Sequence, residues 1–162
     1  SGAERLQSFI DPDDARFAGR SNMPLVIQDY CRETGQVVPE GAAEILRLVT
    51  DSLAMKIRFV LERLEEVIGY RIEVLHIIGG GGQNDQLNKS IASSINRPVV
   101  VGPYEATAAG NVMMQKVALD GLRSLGEGRD LIRESFQTRH FEPAHPDDWD
   151  TAYVRFRNLM NL

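Results

Sequence analysis

Four consecutive glycines, Gly79 to Gly82, follow a nearly continuous apolar run made of Ile72, Val74, Leu75, Ile77 and Ile78. Glycine loses more backbone freedom on folding than any other residue, so a block of four is costly inside any regular element. The block therefore marks a turn that needs positive φ, or a place where bare backbone must approach something closely. The apolar run before it reads as a strand over 71–78, covered on both faces. After it, Asn84 or Asp85 caps a predicted helix over 85–95, and Pro98 to Val101 reads as a second strand. Strand, helix and strand over about thirty residues make a βαβ unit, which requires a parallel pair. The glycines sit at the carboxyl end of the first strand, where open α/β sheets bind ligands. The helix that follows turns its free N–H groups and positive end to the same spot.

Two common phosphate-binding patterns fail here. A dinucleotide fingerprint needs a third glycine five residues after the first. Counting from Gly79 or Gly80 gives Asn84 or Asp85. A P-loop needs a correctly placed glycine before its lysine, and Lys89-Ser90 lacks one. A second small-residue stretch, Gly102-Pro103-Tyr104-Glu105-Ala106-Thr107-Ala108-Ala109-Gly110-Asn111, opens a predicted helix over 106–119. Its smooth face either packs tightly on another helix or supports the glycine loop from behind.

Elsewhere the pattern is helical. Pro24 and an Asn22 or Ser21 cap open a helix over 23–33, with Gly35 ending it. Leu46, Val49, Leu53, Ile57, Val60, Leu64 and Val67 step by three or four along a helix over 40–68, stopped by Gly69. Extra apolar positions widen that stripe beyond a coiled-coil seam, so it reads as a core helix of a larger fold. Shorter helices follow over 128–135 and from Pro146 to about Met160, with 140–143 extended. Trp149 and Tyr153, four apart, anchor the last helix.

With 162 residues, one domain is expected. A net charge of −5 lacks the basic footprint of a nucleic-acid binder. No apolar run is long enough for a membrane span, and cytoplasm is the default compartment. The single cysteine, Cys31, excludes an internal disulfide and reads as a small buried residue. Several residues attract chemistry but have plainer roles. Asp11, Asp13 and Asp14 read as solvated turn carboxylates rather than a Mg²⁺ site. His76 reads as a buried, hydrogen-bonded histidine. His140 and His145 lie near Asp147 and Asp148 without a recognised metal spacing. Asn88-Lys89-Ser90 is a glycosylation sequon only by chance.

The motifs together resemble the C-terminal domain of FGGY-type carbohydrate kinases, nearest to the rhamnulokinase branch. The matching strings are Phe9-Ile10-Asp11-Pro12, Met23-Pro24 with Tyr30-Cys31, Thr34-Gly35-Gln36, and His76 to Gly81 with Gln83-Asn84 and Leu87-Asn88. Gly102-Pro103, Glu105-Ala106-Thr107, Gly110-Asn111 and Phe141-Glu142-Pro143 complete them. The resemblance implies an α/β, helix-rich part of an actin/hexokinase/Hsp70-like (ribonuclease H-like) ATPase lobe with a small parallel βαβ sheet. It implies that residues 9–162 form a truncated kinase domain, after a tag scar or disordered lead over 1–8. It implies ATP and Mg²⁺ as cofactors, and a ketose sugar phosphorylated at the 1-hydroxyl in an intact two-lobed enzyme. Gly79, Gly80, Gly81 and Asn84 are its adenine-side contacts. Gly82 carries no role in that pattern. No catalytic or metal-binding residue is assigned, because the phosphate loop, catalytic aspartate, sugar site and Mg²⁺ ligands belong to the missing N-terminal lobe and upstream strands. The chain alone is therefore expected to be inactive. Another sugar specificity, such as a fuculokinase or xylulokinase, and a non-catalytic nucleotide-binding or interaction module stay open. The exposed sheet edge invites self-association.

Overall fold

A computed structural model describes residues 3–19, 22–119 and 121–160. The alternative cap Ser21 and the first two residues of the expected lead lie outside those residues. The elements in chain order are α1 (Met23–Glu33), α2 (Ala42–Ile68), β1 (Leu75–Ile77), α3 (Asp85–Ile95) and β2 (Val99–Val101). Then come α4 (Ala106–Ala118), α5 (Leu125–Ser135), β3 (Arg139–Phe141) and α6 (Pro146–Leu159).

Local chemistry sets most helix ends. Pro24 sits in the first turn of α1, where its missing N–H costs nothing. Asn84 caps α3, its side chain accepting the Leu87 N–H. Ser124 caps α5 in the same way and starts it three residues before the expected Gly128. Gly69 ends α2 in the left-handed region at φ 76°.

The sheet has the order β1-β2-β3. The β1–β2 pair is parallel, with Leu75 opposite Val99 and Ile77 opposite Val101. That is the expected βαβ unit. The stretch expected to be merely extended near His140 is a third strand, antiparallel to β2, with Val100 opposite His140. The sheet is thus mixed rather than purely parallel.

The first strand is shorter than its apolar run. Ile72 is held elsewhere: its N–H donates to Glu65 Oε1 at the end of α2, and its carbonyl accepts from Arg97. These bonds tie residues 71–73 to α2 and leave them outside the ladder. The run is also not covered on both faces. Leu75 and Ile77 pack on the core, whereas Val74 and Ile78 are exposed. His76 is exposed as well, so the expected buried histidine is corrected. The period-two alternation of a strand decides this, because neighbours of core-facing residues face away.

The core lies between α2, α3, α6 and the sheet, and is filled by Met55, Leu61, Ile91, Val99, Trp149 and Phe156. Full burial of each large apolar side chain contributes about 1.5–3 kcal/mol. A second cluster joins Ile10, Ile27, Tyr30, Cys31 and Leu48 between α1 and α2. Cys31 is fully buried, which pushes its thiol up to about 11. Residues within the expected lead are packed. Leu6 is buried and donates its N–H to Asp51 Oδ2 at 2.9 Å, and the Ser8 hydroxyl donates to the Val37 carbonyl.

Candidate functional site

The glycine loop leaves β1 through Gly79, whose backbone sits at φ 80°, ψ −163°. That region is open essentially to glycine alone. Gly80 to Gln83 then form one 3₁₀ turn, which runs directly into α3. The first N–H groups of such a turn have no partner within it. Around Gly79 and Gly81 the space is open, with no atom within 4 Å of where a Cβ would stand. A Cβ on Gly80 would lie 3.7 Å from the Tyr104 ring, an ordinary contact. Gly80 and Gly81 are exposed. Bare, accessible backbone at the carboxyl end of a parallel strand, beside a capped helix start, can accept a planar polar ligand at close range.

Asn84 is exposed and spends its side-chain oxygen on the Leu87 N–H, which leaves its amide NH₂ for a ligand. Asn84 is thus a cap first. Gly79, Gly80, Gly81 and Asn84 do come together along one continuous loop.

Three residues without a role in the sequence pattern hold this loop in place. Gly82 is buried, and a Cβ there would stand 2.6 Å from Val101 Cγ1 and 3.6 Å from Ile77 Cγ2. The fourth glycine is therefore required by packing onto β2 rather than by a ligand. Asn88 is fully buried on α3, and its Nδ2 donates to the Gly82 carbonyl at 2.8 Å. Its complete burial also makes the sequon inaccessible. Arg139, on β3, donates to the same carbonyl and forms an ion pair with Asp85. Only the pairing of β3 with β2 brings Arg139 here, so the local sequence carries no signal for it.

The segment after β2 backs the loop. Gly79 donates its N–H to the Pro103 carbonyl at 3.3 Å, and Gly102 donates to the Ile77 carbonyl at 2.8 Å. A Cβ on Gly102 would lie 3.3 Å from Ile78 Cγ2, so the two loops approach closely. The support comes from residues 102–104. The small residues of α4 do not supply it: α4 meets α5 through Met113, whose Sδ would stand 2.5 Å from a Cβ on Gly128, while Ala108 is exposed and the space beside Gly110 is open.

Farther back, Asp51 fixes α3 against α2. It accepts from the Leu6 N–H and the Ser90 hydroxyl, and Arg47 Nε lies 3.3 Å away. Burial pushes its carboxyl up, while the Leu6 N–H and Arg47 oppose the rise. The aspartates near the start are structural. Asp14 caps a 3₁₀ turn over Ala15–Phe17, and Asp11 and Asp13 pair with Lys56. Among the described residues, no cluster of three or more His, Cys, Asp or Glu could hold a metal ion. None of their helices is long and apolar enough to cross a membrane.

The two loops meet at the carboxyl end of the parallel β1–β2 pair, and the comparisons give the family in which this arrangement belongs. The FGGY family of carbohydrate kinases, C-terminal domain, matches residues 2–119, and the chain belongs to this family. A rhamnulokinase of Bacteroides thetaiotaomicron is 44% identical over 157 residues, which is 97% of this chain and 32% of the relative. A rhamnulokinase of Lactiplantibacillus plantarum is 39% identical over 138 residues, covering 85% of this chain and 28% of its own. The chain thus spans about a third of the length of these relatives. In solved structures, the xylulose kinase from Rhodospirillum rubrum matches with a TM-score of 0.62 at 18% identity, over 78% of this chain and 26% of that one. At that identity it shows the fold alone, which is the actin/hexokinase-like lobe of FGGY sugar kinases.

Proposed function

We propose that this chain supplies the adenine-side half of the ATP site of a sugar kinase that phosphorylates L-rhamnulose at its 1-hydroxyl. The observation that carries the reading is the open glycine loop. Gly79 holds a glycine-only conformation, and no side chain stands over Gly79 or Gly81. This cradle suits the flat face of a nucleobase and its sugar. Rhamnulokinases among the relatives support the choice of substrate.

In the whole enzyme, Gly79, Gly80 and Gly81 give close backbone contact with the adenosine end, and the Asn84 amide donates to it. Asn88 and Arg139 keep the loop from moving by fixing the Gly82 carbonyl. Phosphoryl transfer also needs a base for the sugar hydroxyl and groups around the phosphates. We assign none of these to the described residues. Mg²⁺ bound to ATP would supply charge neutralisation at the phosphates, and we assign it no ligand among the described residues. The compartment we assign is the cytoplasm, where ATP and the sugar meet.

The test is an NMR titration of the 162-residue chain with ATP. The Gly79, Gly80, Gly81 and Asn84 amides should shift together, and shifts confined to other residues would remove the loop from the site. In a full-length kinase carrying this segment, Gly80→Asp should raise KM for ATP at least tenfold, about 1.4 kcal/mol, with KM for the sugar unchanged. Gly80 has a negative φ and room beside Tyr104, so this variant keeps its fold.

A further inference from the structure

Beside the glycine loop stands an aromatic ring that the core does not use. Tyr104 is 54% exposed, and its ring joins neither hydrophobic cluster and, among the described residues, no aromatic pair. A single exposed aromatic residue is ordinary on a protein surface. The position of this one sets it apart. Its Cε2 lies 3.7 Å from where a Cβ on Gly80 would stand, so the ring borders the bare backbone at contact distance. The main chain that carries it is fixed on both sides. Pro103 before it accepts the Gly79 N–H, and Glu105 after it accepts the Ala109 N–H in the first turn of α4. The ring is therefore held beside the loop by backbone bonds rather than by packing of its own. Gly79 and Gly81 leave the space on either side of Gly80 open. Peptide planes and ring together make one flat ledge.

We propose that the Tyr104 ring extends the glycine cradle and stacks on the nucleobase, so that the base lies across Tyr104 and the backbone of Gly80 and Gly81. The chemistry of the ledge chooses a base over a phosphate. A phosphate needs free positive charge, and Arg139, the cation at this loop, is spent on Asp85 and the Gly82 carbonyl. An aromatic ring has a π face to offer, which a base matches and a phosphate does not. The exposure of the ring fits this role, because a stacking face must be accessible before the ligand arrives. The inference rests on the nucleotide reading of the loop and deepens it. It adds a side chain from the second loop to a contact so far made by the first loop alone.

The experiment follows the tyrosine ring protons and the loop amides by NMR while the 162-residue chain is titrated with adenosine and, separately, with inorganic tripolyphosphate. Tyr104→Phe assigns the Tyr104 signals, and Tyr70, 66% exposed at the end of α2, is the internal control. Adenosine should move the Tyr104 ring protons upfield together with the Gly80 and Gly81 amides, and leave Tyr70 in place. Tripolyphosphate should move none of them. In a full-length kinase carrying this segment, Tyr104→Ala should raise KM for ATP roughly tenfold, with kcat and KM for the sugar unchanged. Tyr104→Phe keeps the ring and should restore KM to within about twofold of the parent. An exposed side chain carries little stability, so the urea midpoint of Tyr104→Ala should match the parent. Loop amides that shift with adenosine beside a still Tyr104 ring would overturn this inference and leave the nucleotide reading standing. A still loop would overturn both, whatever the ring does. A Tyr104 ring that shifts on dilution and not with adenosine would make it a contact between copies of the chain and overturn the stacking role. Phe as damaging as Ala would do the same, since the ring would then not be what binds.

Discussion

Alanine replacements at Gly79, Gly81 and Gly82 should separate three reasons for having glycine in one loop. At Gly82 the new Cβ would stand 2.6 Å from Val101 Cγ1. Val101 is 4% exposed and sits in β2, so it cannot swing aside as the tip of a long side chain could. Either β2 shifts or the loop lifts, and forced overpacking of this kind costs about 1–3 kcal/mol. Lifting the loop also strains the bonds that the Gly82 carbonyl accepts from Asn88 and Arg139. At Gly79 the cost is conformational. A φ of 80° with ψ −163° is essentially closed to alanine, at about 1–3 kcal/mol. At Gly81 neither applies: φ is not positive, and nothing lies within 4 Å of the new atom. Alanine there should be neutral or stabilise by about 0.4–1 kcal/mol through the unfolded chain. Urea unfolding of the three variants, followed by circular dichroism, measures this directly. The expected order is a clear loss for Gly79→Ala and Gly82→Ala, and none for Gly81→Ala. A Gly82→Ala variant as stable as the parent would refute the packing argument. A Gly81→Ala variant as damaged as the other two would refute the claim that the third glycine is kept for a ligand.

Asn88→Asp replaces a donor with a buried acceptor facing the Gly82 carbonyl, and should destabilise the chain by about 1–3 kcal/mol. Hydrogen exchange should quicken first at Gly80 to Asn84, and uniform quickening across the chain would argue against a local anchor. A pH series tests the Glu65–Arg97 pair, whose shortest approach is 2.6 Å. Arg97, and then the Ile72 N–H, hold the Glu65 carboxyl below its ordinary value of 4.5. A lowered folded pKa means that the pair's stability is present above pH 4.5 and lost as pH falls through the folded value. Buried Asp51 works the other way, so the parent must be compared with Arg97→Gln, in which the Asp51 contribution cancels. The stability gap between the two should be widest above pH 5 and shrink on acidification. A gap independent of pH would mean that Arg97 acts through packing alone.

What was legible in the sequence was local. Pro24 placed the start of α1, Gly69 the stop of α2, and Asn84 the cap of α3, because each acts through backbone bonds within a few residues. The glycine block after an apolar run gave the loop, and four of its residues gave the candidate site. The strings around both loops also carried the family. Tertiary structure alone decided the rest. The exposure of His76, the shortness of β1 and the pairing of β3 follow from which residues stand opposite each other across long sequence gaps. Gly82 could not be told from Gly81 by sequence, since only the position of Val101 makes one intolerant of a side chain and leaves the other open. Asn88 looked like a chance sequon, and nothing in the local sequence marked Arg139. Each became an anchor only when α3 and β3 were placed around a single carbonyl oxygen. Periodicity in α2 showed an apolar stripe, but not which part of it lay bare. That depends on which elements pack around the helix, and burial belongs to the assembled neighbours rather than to the residue.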